Sequence, residues 1–122
     1  GVTILTSIDS LDMKELGIYR EMGDEVVALA KLAESAGLEG VVASPLEIEL
    51  IRKATKKDFV IVTPGIRPLA RGKSVPDNQK RVMTPGEALD KGANYIVVGR
   101  PIIEAPDPVE VVKTILQEIG ES

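Results

Sequence analysis

The sequence of 122 residues has no cysteine, no histidine and no tryptophan, and aromatic residues make up only 2% of it. Without Cys there is no disulfide, no thiolate nucleophile and no thiolate metal site. Without His, acid–base work falls to Asp, Glu, Lys or Tyr, and imidazole cannot ligate a metal. No apolar run approaches the roughly 20 residues needed to span a bilayer, and the opening GVTILTS lacks the basic stretch of a secretion signal. These absences predict a soluble protein and are compatible with a cytoplasmic one. A formal charge of -4 and a pI near 4.9 argue against a chain that coats nucleic acid or anionic membrane, so any anion site must be local.

What the sequence does have is aliphatic. At 43% hydrophobic and 28% charged residues it holds enough for one modest core and too little for two typical domains, so residues 1–122 are expected to form a single unit. Four continuous β-branched runs, Val2 to Leu5, Gly40 to Ala43, Phe59 to Val62 and Tyr95 to Val98, fit strands covered on both faces. Between them apolar residues recur at spacings of three and four: Val26, Leu29, Ala30, Ala33; then Leu46, Leu50, Ile51, Ala54; then Val109, Val112, Ile115, Leu116, Ile119. Each set makes one helical stripe.

The helix starts are spelled three times in the same way. Ser44-Pro45-Leu46-Glu47 and Thr84-Pro85-Gly86-Glu87 place a capping hydroxyl, a first-turn Pro and a carboxylate three residues on, and Asp107-Pro108-Val109-Glu110 repeats this with an acidic cap. Gly37, Gly92 and Gly120 stand where helices should stop. A short extra turn is expected around Pro101 to Glu104, and a helix over Asp9 to Leu16, where Asp9 and Asp12 complement the dipole. The alternation predicts an α/β protein of right-handed parallel β/α units with about four strands, either a small doubly wound sheet or half of a (β/α)8 barrel.

Three places could carry chemistry. The stretch of 18 residues from Pro64 to Arg81, with Arg67, Arg71, Lys73, Lys80 and Arg81, is far longer than the roughly two to six residues usual for such connections; it fits an anion clamp or a solvated surface loop. Gly99-Arg100-Pro101, after the last strand, combines close backbone approach with a guanidinium fork, which suits phosphate, although an Arg in a surface ion pair would be spelled the same way. Thr6 and Ser7 put hydroxyls at the end of the first strand, facing a ligand or capping the helix that follows.

In order, VTILTS, GLEGVVASP, DFVIVTPGIRP, NQKRVMTP and ANYIVVGRPI resemble the second half of the bacterial orotidine 5'-phosphate decarboxylases. The resemblance implies the C-terminal half of a TIM (β/α)8 barrel from a homodimeric enzyme that converts orotidine 5'-phosphate to uridine 5'-phosphate in pyrimidine synthesis, without metal or cofactor. It places substrate contacts on Thr6 and Pro64, the closing loop on Arg67 and Gln79, and the phosphate grip on Gly99 and Arg100. The family's catalytic Lys and Asp array belongs to a DxKxxDIP-type motif that is absent from these residues, so the resemblance implies no catalytic residue in this chain, a separate N-terminal half-barrel as partner, and an isolated chain without activity. Two other readings compete: a sugar-phosphate barrel enzyme such as a hexulose phosphate synthase, and a noncatalytic half-barrel that only binds phosphate compounds.

Overall fold

The computed structural model describes residues 1–68 and 83–120. Three parallel strands, β1 (Gly40–Val42), β2 (Val60–Thr63) and β3 (Tyr95–Ile96), lie side by side in chain order. The register pairs Val41 with Ile61 and Val62 with Tyr95. Helices α1 (Ser10–Glu15) and α2 (Met22–Ser35) precede the sheet, α3 (Ile48–Ala54) connects β1 to β2, and α4 (Pro85–Asp90) leads into β3. The chain then runs through the single turn of α5 (Arg100–Ile103) to α6 (Pro108–Glu118).

The expected first strand is reduced to one parallel bridge between Val2 and Val42. Around it, the amide of Thr3 donates to the Val42 carbonyl, that of Val42 donates to the Gly1 carbonyl, and the Gly1 amino group donates to the Gly40 carbonyl. The segment therefore takes its place on the free side of β1, but too few of its bonds follow the ladder for a regular strand. Order in space thus follows order in sequence, as consecutive β/α units require.

Alternate strand residues explain where the core lies. Val41, Ala43, Ile61 and Thr63 point to one face and are buried under Val26 and Ala30 of α2, Ile48 and Ile51 of α3, and Ala88 of α4. Gly40 permits this close pairing, because a Cβ there would stand 2.2 Å from the Val60 carbonyl oxygen. On the opposite face Val42, Val60 and Val62 are only half-buried.

The helix over Val26 to Ala33 is as expected, but the next stripe is shifted. Ile51 is buried as expected, but Leu46 and Leu50 are exposed and Glu47 and Ile48 are buried in their place. The cause is a 3-10 turn at Pro45–Glu47 that precedes α3, since its tighter winding rotates every following side chain relative to a continuous α-helix. In α6, Ile115 is buried while Val109 is 61% exposed, so only part of the expected stripe finds cover in this chain. Gly37, Gly92 and Gly120 end their helices with positive φ values of 86°, 114° and 78°, as left-handed C-terminal caps do.

Candidate functional site

Parallel strands deliver their following loops to one end of a sheet, and here the three loops after Val2–Ile4, β1 and β2 meet there. They enclose a cleft of about 300 Å3, lined by Thr6, Asp9, Ser10, Ser44, Glu47 and Gly65 among others. Gly65 turns the chain with φ +74°, and a Cβ on it would come within 3.8 Å of the Thr6 Cγ2 and 3.9 Å of the Pro45 Cδ. Thr6 is exposed in the turn after Leu5, beside the Pro64-Gly65 corner. Ser7 does not cap α1; Asp9 does, accepting from the Asp12 amide while Asp12 accepts from the Asp9 amide. Both aspartates therefore serve the helix start, as expected.

After β2, Pro64 is half-buried and Arg67 exposed. The Arg67 amide donates to the Met83 carbonyl at 3.1 Å, next to a bridge between Ile66 and Met83 that draws the two flanks of the long connection together. Gln79 and the basic residues from Arg71 to Arg81 lie outside the described residues.

Gly99 and Arg100 follow β3, whose neighbour Val97 donates its amide to the Thr63 carbonyl. The loops after β2 and β3 thus leave the sheet side by side. Gly99 is exposed, with open space where a Cβ would be, and Arg100 is exposed at the start of α5. Among the described residues neither the Arg67 nor the Arg100 guanidinium enters an ion pair, so the surface-pair reading of Arg100 has no support there. Neither residue lines the cleft around Thr6. The expected contacts on this end therefore divide between Thr6, in the cleft beside Gly65, and Arg67, Gly99 and Arg100, which lie outside it.

The family model for orotidine 5'-phosphate decarboxylase / HUMPS matches residues 1–115. The chain belongs to this family. It is 53% identical over 119 residues to the orotidine 5'-phosphate decarboxylase of Geotalea uraniireducens, covering 98% of this chain and 48% of that protein. The corresponding enzyme of Moorella thermoacetica is 53% identical over 120 residues, with 98% and 46% covered. Among solved structures, orotidine 5'-phosphate decarboxylase from Lactobacillus acidophilus superposes with a TM-score of 0.77 at 38% identity, over 97% of this chain and 47% of that one. An uncharacterized conserved protein from Geobacillus kaustophilus gives 0.74 at 32% identity, over 97% and 46%. The chain spans about half the length of the relatives it matches, and its parallel strands with covering helices are half of a TIM-barrel architecture.

Reading by residue pattern missed Glu47. It was expected as the helix-starting carboxylate of a capping motif, yet Ser44 makes no side-chain cap and Glu47 is buried. Burial pushes its carboxyl above the ordinary value of 4.5, against the opposing pull of the Ser44 hydroxyl and its own backbone. The sequence offers no signal beyond its place four residues past the run Gly40 to Ala43, which reads only as a strand leading into a helix start. Among the described residues no three Asp or Glu side chains converge as metal ligands, and no helix is long and apolar enough to cross a membrane.

Proposed function

We propose that this chain is the C-terminal half-barrel of an orotidine 5'-phosphate decarboxylase, a single unit that binds the phosphate and part of the pyrimidine of orotidine 5'-phosphate, and that an N-terminal half completes the enzyme. The observation that carries this reading is the match over 98% of this chain to 48% of a decarboxylase at 53% identity. Relatives named as decarboxylases at this identity favour that activity over a sugar-phosphate reaction. In this reading Arg100 and Gly99 hold the phosphate, Arg67 and Gln79 close over it, and Thr6 and Pro64 contact the nucleoside end. The complete enzyme works in the cytoplasm as a homodimer, with no metal or organic cofactor.

The division of labour has a physical rationale. The N-terminal half supplies the Lys and Asp groups that stress the carboxylate and protonate the carbanion. Binding energy from a phosphate that does not react, gathered here, drives loop closure and lowers the barrier at the distant carbon. The exposed Arg67 and Arg100, free of ion pairs among the described residues, support the role, because a guanidinium already committed to a carboxylate would grip phosphate poorly.

The test is decarboxylation of orotidine 5'-phosphate, read as loss of substrate absorbance, for the chain alone and mixed with the N-terminal half of the Geotalea relative. Activity is expected only in the mixture. There, Arg100→Ala should lower kcat/KM on orotidine 5'-phosphate by about 10- to 100-fold, the loss of one or two charge-assisted hydrogen bonds, and leave turnover of a phosphate-free analogue nearly unchanged. Activity of the chain alone would overturn the assignment of the catalytic groups to the other half. An assembled but silent mixture would favour a noncatalytic phosphate-binding module.

A further inference from the structure

Glu47 is 7% exposed, and its Oε2 is buried with no hydrogen-bond partner among the described residues. A buried acceptor left unmade costs about 1–3 kcal/mol, and more when it is charged. The residue sits just past the C-terminal end of β1, in the wall of the cleft that also holds Thr6, Ser10, Ser44 and Asp9. Asp9 is engaged in the cap of α1, so Glu47 is the carboxyl with an oxygen to offer.

The composition of the lining states what such an oxygen can receive. Among the described residues it contains three hydroxyls and two carboxyl side chains, and no Lys or Arg. A phosphate there would meet like charge without a counter-ion, whereas a hydroxyl or an imide N–H would meet acceptors on several sides. The guanidiniums of Arg67 and Arg100 stand outside the cleft. The mouth is therefore chemically divided, with donors for an anion after β2 and β3 and acceptors for neutral donors between the first segment and β1.

We propose that Glu47 is a ligand-recognition residue whose buried carboxyl takes a hydrogen bond from a neutral donor, a sugar hydroxyl or a base imide N–H, at the end of the ligand remote from its phosphate. The proposal rests on the nucleotide reading above for the position of the phosphate. It also gives the orphaned oxygen a reason: the partner arrives with the ligand.

The chain itself, labelled with 13C, is titrated with uridine, methyl β-ribofuranoside and inorganic phosphate while the Glu47 carboxyl resonance is followed by NMR. Uridine should shift that resonance and phosphate should not; a shift with the riboside as well identifies a sugar hydroxyl as donor, and a shift with uridine alone identifies the imide. Glu47→Leu, which fits its apolar neighbours Ile48 and Ile51, should raise Tm by removing the orphan and weaken uridine binding at least about tenfold, with phosphate affinity unchanged. Glu47→Gln, which keeps the shape and one acceptor, should fall between. A residue that merely shapes the fold would not separate uridine from phosphate in this way. Equal uridine affinity across the three proteins, or phosphate binding without uridine binding, would overturn the proposal and leave the nucleotide reading standing; loss of phosphate binding in the parent chain would overturn the reading beneath it.

Discussion

Two stretches with the same residue grammar ended differently, and the difference is burial. Thr84-Pro85-Gly86-Glu87 forms the expected reciprocal cap: the Glu87 amide donates to the Thr84 hydroxyl at 3.3 Å and the Thr84 amide to the Glu87 carboxylate at 2.9 Å. Ser44-Pro45-Leu46-Glu47 does not, because buried Pro45 and Ile48 on either side of Glu47 draw the turn inward and carry the carboxyl with it. A capping pattern states which bonds are available and says nothing of which face of the turn the core will claim. The consequence is measurable as a pH effect. Glu47 has its folded value raised above 4.5, so the folded state binds its proton more tightly than the unfolded state does. Its contribution to stability is fully present below that ordinary value and is lost as pH rises through the higher folded value. Thermal melts of the parent and Glu47→Gln should therefore nearly coincide at pH 4, with the variant becoming the more stable of the two by pH 8. A Tm difference that stays constant across this range would show that burial does not raise the folded value of this carboxyl.

At the level of elements, the strand and helix alternation was legible because each unit announces its own start and stop, and the helix phases were not. Periodicity assumes a continuous α-helix, so a 3-10 turn ahead of α3 was enough to turn Leu46 and Leu50 outward and bring Glu47 and Ile48 to the core beside the expected Ile51. Arg52, which no motif singled out, ties three elements together at the end of the sheet opposite the cleft. Its guanidinium donates to the Phe59 and Gly92 carbonyls, both at 2.6 Å, and to the Asn94 side-chain oxygen at 2.8 Å. Asn94 also accepts the Ile61 amide. Gly92 allows the approach, since a Cβ there would lie 3.2 Å from the Arg52 Nε. Conservation of barrel function at one end and of stability at the other is the usual division in this architecture. Arg52→Ala should thus lower stability by about 1–3 kcal/mol, a Tm loss of roughly 4 °C for each kcal/mol, without changing phosphate affinity. Arg52→Lys should recover little, because an ammonium lacks the planar fork that serves three acceptors at once. Recovery of most of the Tm by Lys would mean that charge, and not the fork, holds these elements.

The whole chain carries a mismatch between its strands and their surroundings, and the mismatch bears on assembly. Runs such as Gly40-Val41-Val42 and Val60-Ile61-Val62 are apolar on both faces, the composition of a sheet covered on both sides. Among the described residues the helices cover one face; Val42, Val60 and Val62 stay half-buried, and Val2 and Tyr95, at the two edges, are 62% and 64% exposed. A closed barrel has neither edges nor an open inner face, and a second set of strands inserted between the segment at Val2 and β3 would remove both. The site follows the same logic, since the groups read for phosphate and nucleoside stand at one end of this sheet while the catalytic array is assigned to the other half. Hydrogen exchange on the chain alone should therefore find the amides of Val2, Ile4 and Val98, next to the bonded Thr3 and Val97 amides, poorly protected, and the chain should self-associate as its concentration rises. Adding the N-terminal half of the Geotalea relative should protect both edges together and suppress self-association. Protection of one edge without the other would mean that the halves meet without closing, in which case the two-part site argued above would not be assembled and no decarboxylation should accompany binding.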